Sequence, residues 1–214
     1  YLNNNYLNSK VNIFGQDSNP RSFAIASAST LMSRDPNKYY TSTIKLGDTL
    51  VNDQFKNKTF DYFISNPPFG ISWNRQKEEI LNESKSLGMN GRFGAGTPRL
   101  SDGSMLFLQH MINKFKPFNP YNNQFGSKLA IVFNGSPLFT GNAGSGESEI
   151  RKWIIENDLL EAVIALPEHL FYNTSIGTYI WIITNRKNIS RKGKIQLIDA
   201  REKGELLRRS LGSK

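Results

Sequence analysis

Two consecutive prolines, Pro67-Pro68, close an apolar run, Tyr62-Phe63-Ile64, and constrain the fold more than any other stretch of the chain. The run reads as a buried strand over residues 60–65. Neither proline can donate to a sheet ladder, so the strand stops there. A residue before proline is driven toward extended geometry, which holds Asn66 stiffly at the strand tip. The tip therefore displays an amide side chain, the Pro67 carbonyl and the Phe69 ring together. That set can grip a planar molecule carrying an exocyclic amino group.

The remaining chain alternates apolar strands with amphipathic segments, the pattern of an α/β domain. Strands are predicted over residues 11–14, 42–46, 128–133, 161–166, 178–184 and 194–198, in addition to 60–65. Helices are predicted over 20–33, where Pro20 suits a first helical position, over 104–115 and over 147–157. Asp102 is the expected N-cap of the second. Residues after 70 read as a polar segment, with glycines clustered at 88–96. The expected architecture is a mostly parallel twisted sheet, helices on both faces, with an antiparallel strand near 178–184. Asp17, Asp48 and Asn66 then all fall at carboxyl ends of strands, where such sheets bind ligands.

Two glycine-rich stretches resemble nucleotide loops only superficially. Residues 91–96, GRFGAG, do not follow a strand. Residues 141–146, GNAGSG, lie between a strand and a helix but lack the Lys-Ser/Thr pair of a P-loop and read as a flexible surface loop.

Composition narrows the class. A chain of 214 residues suffices for one sizeable domain. It has no cysteine, which excludes disulfides and thiolate metal sites, and His110 and His169 have no metal-ligand spacing, so no metal is expected. Each histidine reads as a surface or helix-packing residue. No run approaches the roughly 20 apolar residues of a membrane span, and the first ten residues lack the apolar core of a signal peptide, so a cytoplasmic protein is expected. The net charge is +9, and residues 185–214 carry ten Lys/Arg against three acids, +7 of that total. This basic end could meet DNA phosphates or a partner subunit, or form a solvated terminus.

An amino group conjugated to an aromatic ring is a poor nucleophile, because its lone pair is delocalised. Acceptance of its two N–H bonds by the Asn66 side-chain oxygen and the Pro67 carbonyl favours a more tetrahedral, more nucleophilic nitrogen. Phe69 can stack on the ring. Asn66-Pro67-Pro68-Phe69 after an apolar strand resembles the catalytic motif of amino-methyltransferases, especially the adenine-N6 DNA methyltransferases. Gly15-Gln16-Asp17, Leu46-Gly47-Asp48, residues 128–139 and residues 163–184 resemble, in order, further segments of the methyltransferase subunit of type I restriction-modification systems.

The resemblance implies a Rossmann-like methyltransferase fold using S-adenosylmethionine and flipping its base out of double-stranded DNA. It implies that residues 66–69 are catalytic, that Asp17 binds the cofactor ribose, and that Asp48 contacts the cofactor adenine, with Asn66 adjoining the cofactor. It places Phe69, Thr174 and Thr178 against the target base, and a specificity and a restriction subunit as partners. Asn134 stands where the family often has proline. The family's glycine-rich cofactor loop precedes the acid matched by Asp17, yet the 16 residues before Asp17 contain no such loop. The expectation is a partial catalytic domain over 1–200, lacking the central first strand, and a basic tail over 201–214. A non-catalytic structural role, or methylation of RNA or of a protein glutamine, are the alternatives.

Overall fold

The computed structural model describes residues 10–32, 40–171 and 175–204. The chain divides into two compact units, Tyr1–Asn57 and Lys58–Lys214. Residues 205–214 of the basic end lie outside the described residues.

In the first unit, β1 (Val11–Asp17) pairs in parallel with β2 (Tyr40–Leu46), with Asp17 opposite Leu46. Helix α1 (Pro20–Met32) lies between them in sequence. Its entry is set by Asn19-Pro20. The Asn19 side-chain oxygen accepts from the backbone N–H of Arg21 at 2.8 Å, and the proline occupies the first helical position, where no donor is needed. β1 runs three residues further than the predicted 11–14, because Gly15-Gln16-Asp17 continue the ladder.

The second unit is built on a five-stranded sheet. Its strands are β3 (Tyr62–Ser65), β6 (Lys128–Asn134), β7 (Leu160–Ala165), β8 (Thr178–Thr184) and β9 (Gln196–Asp199), in the order β3-β6-β8-β7-β9. β3 pairs in parallel with β6 and β7 with β9, while β8 runs antiparallel to both of its neighbours. The late antiparallel strand is therefore present where expected. β6 alternates strictly, and Leu129, Ile131 and Phe133 are fully buried. Opposite Leu129 and Ile131 stand Ile183 and Trp181, and the Trp181 ring meets Phe133 edge-on at 5.2 Å. α3 (Ser104–Asn113) and α5 (Gly146–Glu156) close this face with Met105, Leu108, Ile112, Ile150 and Ile154. The opposite face, carrying Ala130, Val132, Ile180 and Ile182, is half-buried. Against the expectation of helices on both faces, the two that belong to this core lie on one.

Several boundaries differ for local reasons. α3 starts one residue beyond a glycine, and Asp102 accepts from the Ser104 N–H at 3.0 Å in an Asx turn rather than serving as the cap itself. Helix α2 (Lys77–Leu87) occupies the segment whose sequence reads only as polar. Its signals are modest: Glu78 and Glu79 in the first turn, a single buried Ile80, and Gly88 at φ 50° ending it. A short hairpin, β4 (Phe118–Asn119) with β5 (Gln124–Phe125), is not predicted either, since two-residue strands leave no periodicity to read.

The glycine-rich 91–96 stretch is packed rather than ligand-cradling. Phe93 is fully buried, and a Cβ on Gly94 would lie 2.1 Å from the Gly88 carbonyl oxygen. The loop is tied to α2 by Arg92, which donates to the Glu83 carboxylate through Nε, Nη2 and its backbone N–H, at 2.5–3.1 Å. Its Nη1 lies 3.2 Å from Nδ1 of buried His110 on α3, the helix-packing role expected for that histidine. Burial works to raise the Glu83 pKa, but the Arg92 hydrogen bonds and charge outweigh it and hold the carboxyl below its ordinary 4.5. The sign is that of a depressed acid. The pairing stabilises the fold above about pH 4.5 and is lost as pH falls through the folded-state value. Glu83→Gln is expected to cost about 1–3 kcal/mol at neutral pH. Urea titrations of variant and parent should converge in strong acid; an equal gap at both pH values would contradict this account.

Candidate active site

β3 ends at Ser65, and the next four residues form the tip: Asn66 exposed, Pro67 buried, Pro68 exposed and Phe69 half-buried. Burial of the Pro67 ring fixes the turn from below while the amide of Asn66 stays accessible. Gly70, at φ 61°, then reverses the chain in a conformation that side-chain-bearing residues rarely adopt.

The contacts beyond this reversal are not legible in the sequence. The exit of the turn, Ile71-Ser72-Trp73, is bound to the segment leading into α3. Gly103 N–H donates to the Ile71 carbonyl at 3.1 Å, Trp73 N–H to the Leu100 carbonyl at 3.1 Å, and the Trp73 indole N–H to the Arg99 carbonyl at 2.9 Å. Trp73 is 4% exposed, and a Cβ on Gly103 would sit 3.4 Å from its ring. The tip is thus braced at both ends, by β3 before Asn66 and by the α3 approach after Phe69. A tryptophan seven residues past the asparagine is the one signal of this brace in the sequence.

β6 brings the neighbouring turn to the same end of the sheet. Asn134 accepts from the Ser136 N–H at 3.0 Å, so it forms an Asx turn in place of the expected proline. The four-residue helix α4 (Ser136–Phe139) comes next, held by Arg151, which donates to the Pro137 and Thr140 carbonyls at 3.0 and 2.6 Å. Phe139 remains 75% exposed. Thr178 begins β8 opposite Asn134, at this same end, but its side chain is 1% exposed and its hydroxyl has no hydrogen-bond partner among the described residues. Thr178, expected against the target base, is buried here, because the first residue of β8 is covered as part of the central strand of the sheet. Thr174 lies outside the described residues.

In the first unit the parallel register brings Asp17 and Asp48 to one edge. Asp17 is the last residue of β1, and its carbonyl accepts from the Gly47 N–H at 2.9 Å, next to Asp48. Each carboxylate shapes its own turn: Asp17 accepts from the Asn19 N–H at 2.7 Å and Asp48 from the Leu50 N–H at 2.9 Å. Gln16 braces the loop beyond, donating to the Asn52 carbonyl and accepting from the Gln54 N–H. Phe14 packs edge-on against Phe55 at 5.5 Å. Two carboxylates on a rigid strand edge can accept from vicinal hydroxyls and from an amino group, which is what an adenosine presents. Among the described residues no His/Cys/Asp/Glu cluster could hold a metal, and no helix is long and apolar enough to cross a membrane.

The five-stranded sheet of the second unit, largely parallel with one late antiparallel strand and with Asn66 and Asn134 at the carboxyl ends of β3 and β6, has the architecture of the Rossmann-like S-adenosylmethionine-dependent methyltransferases. Two solved structures share it. The methyltransferase subunit of a type I restriction-modification system from Streptococcus thermophilus superposes with a TM-score of 0.65 at 23% identity, covering 94% of this chain and 39% of that one. A protein from Listeria monocytogenes assigned to the class I S-adenosylmethionine-dependent methyltransferases gives 0.64 at 19% identity, covering 92% and 53%. The chain belongs to the N-6 DNA Methylase family, whose model matches residues 2–211. Among curated relatives, the Type I restriction enzyme HindI methylase subunit of Haemophilus influenzae is 34% identical over 205 residues, covering 94% of this chain and 40% of its own length. The chain spans well under half the length of the curated relatives it matches.

Proposed function

We propose that this chain supplies the substrate grip, and part of the cofactor site, of an adenine-N6 DNA methyltransferase: the methylation subunit of a type I restriction-modification system. The observation that carries the reading is the braced turn of residues 66–69 at the carboxyl end of β3. The Asn66 side-chain oxygen and the Pro67 carbonyl accept the two N–H bonds of adenine N6, drawing its lone pair out of conjugation. Phe69, half-buried, stacks on the base with one face, which fixes the nitrogen's approach. Base flipping delivers the adenine to such a turn, since N6 is otherwise engaged in pairing.

S-adenosylmethionine, when bound, supplies a methyl group on a positively charged sulfur, so no covalent enzyme intermediate is needed. The described residues fit its adenosine portion: Asp17 for the ribose hydroxyls and Asp48 for the adenine amino group. They offer no glycine-rich cradle for the methionine portion. Thr178 shapes the floor of the base site from within the sheet. Residues 1–200 form part of the catalytic domain in this reading and 201–214 a basic tail. The cellular setting is cytoplasmic, with double-stranded DNA as substrate and specificity and restriction subunits as partners.

The test is methyl transfer by the complete enzyme containing this chain, using labelled S-adenosylmethionine and duplex DNA, RNA and protein in parallel. Label should enter DNA as N6-methyladenine. Incorporation confined to RNA or protein would overturn the substrate assignment.

A further inference from the structure

Arg99 takes no part in gripping the adenine or the cofactor, yet its main chain is held on both sides. Its N–H donates to the carboxylate of Glu147, a side chain only 7% exposed, at 3.0 Å, and its carbonyl accepts from the Trp73 indole at 2.9 Å. Its guanidinium is not held in the same way. The side chain is 45% exposed, and the nearest carboxylate oxygen, on Asp102, stands 3.8 Å away, beyond hydrogen-bond reach. The other Asp102 oxygen, Oδ1, accepts from the Ser104 N–H. An immobilised backbone carrying a solvent-facing, loosely paired guanidinium is a pre-organised anion contact, because little further ordering is needed to use its fork of donors.

Its position says which anion. Arg99 and Leu100 bind the exit of the tip through Trp73, so the guanidinium projects from the segment that braces residues 66–69. Arg75, two residues past Trp73, is a second exposed cation on this segment. An adenine seated on Asn66 remains joined through its sugar to two phosphates, which must leave the turn across the surface beside it. Phosphates are the commonest protein contacts in DNA complexes, and Arg meets them bidentately.

We propose that Arg99 binds a DNA backbone phosphate flanking the flipped adenine, and so acts as a positioning residue for the strand that carries it. This rests on the adenine-methyltransferase reading above. Because every hydrogen bond of Arg99 among the described residues is made by its main chain, replacing the side chain leaves the brace intact.

The experiment measures duplex DNA binding by the complete enzyme, by fluorescence anisotropy between about 50 and 200 mM salt, where each neutralised phosphate contributes about 0.9 to the slope of log K against log salt. Arg99→Ala should lower the slope by roughly one contact, about 0.9, and Arg99→Lys should keep it. Lys128→Ala is the control. That ammonium pairs with Glu161 at 2.7 Å and stands at the start of β6, the end of the sheet opposite the tip and outside the basic end of the chain, so its loss should leave the slope unchanged. In methylation assays Arg99→Ala should raise KM for DNA while kcat with saturating DNA and affinity for S-adenosylmethionine stay near parental values. A parental salt slope in Arg99→Ala overturns the proposal. So does a loss confined to kcat, or a loss of folding that Arg99→Lys shares. Failure of the parent enzyme to methylate DNA at all would instead count against the function on which the proposal rests, so the two failures are separable.

Discussion

Asn66→Ala should remove nearly all methyl transfer from the complete enzyme while leaving its affinity for S-adenosylmethionine close to the parental value. The side chain is exposed at the tip and the turn around it is held by other groups: the buried Pro67, Gly70 at φ 61° and the Trp73 brace. Loss of the amide therefore deletes chemistry without deleting structure. A single preorganised hydrogen-bonding group aimed at charge that develops in a transition state is worth about 10²–10³ in kcat. Here the group also favours pyramidal geometry at a nitrogen that is otherwise barely nucleophilic, which places the expected loss at the upper end of that range. Single-turnover methylation with saturating DNA isolates the step, and calorimetric titration with S-adenosylmethionine reports the cofactor side. Parental turnover in the variant would end the assignment of residues 66–69 as the catalytic turn.

The features legible in the sequence are those with a local, covalent signal. Proline cannot pair, so the end of β3 is readable to the residue, and with it the exposure of Asn66. Strict alternation in residues 128–134 marks β6, and β-branched and aromatic enrichment marks β8 at its observed bounds. The acids ending β1 and just past β2 are readable because turns use Asp in a stereotyped way. Features set by tertiary contact are not. α2 buries only Ile80 among its residues, so its periodicity is faint. The Trp73 brace joins residues 26 apart. The glycines at 94 and 146 owe their identity to carbonyl oxygens of Gly88 and Thr97, which no local pattern announces. The resemblance to a family supplies the order of motifs and so the reaction, whereas the supports of the catalytic turn are visible only in the folded chain.

Gly146→Ala should be the most damaging single-methyl change outside the tip. A Cβ at this position would stand 1.7 Å from the Thr97 carbonyl oxygen and 2.5 Å from its carbon, both backbone atoms that cannot rotate aside. Either the start of α5 or the segment of residues 97–99 must move. Overpacking in a filled site costs about 1–3 kcal/mol and more when backbone has to shift, so roughly 3 kcal/mol is expected here. For a domain of this size that lowers Tm by roughly 6–12 °C, readable by circular dichroism. Gly177→Ala is the matched control, since among the described residues nothing lies within 4 Å of its added methyl. The damage should reach the chemistry as well. Thr97 leads through Pro98 to Arg99, whose N–H is bound by Glu147, the residue next to Gly146, and whose carbonyl holds the Trp73 indole. A displaced 97–99 segment pulls on both bonds at once, and the Trp73 brace is what fixes the exit of the catalytic turn. Methylation measured well below the variant's own Tm should therefore still fall, because reacting groups displaced by about 1 Å can lose 10²-fold in rate. Full activity at low temperature alongside a lowered Tm would show instead that residues 66–69 hold their geometry from β3 alone.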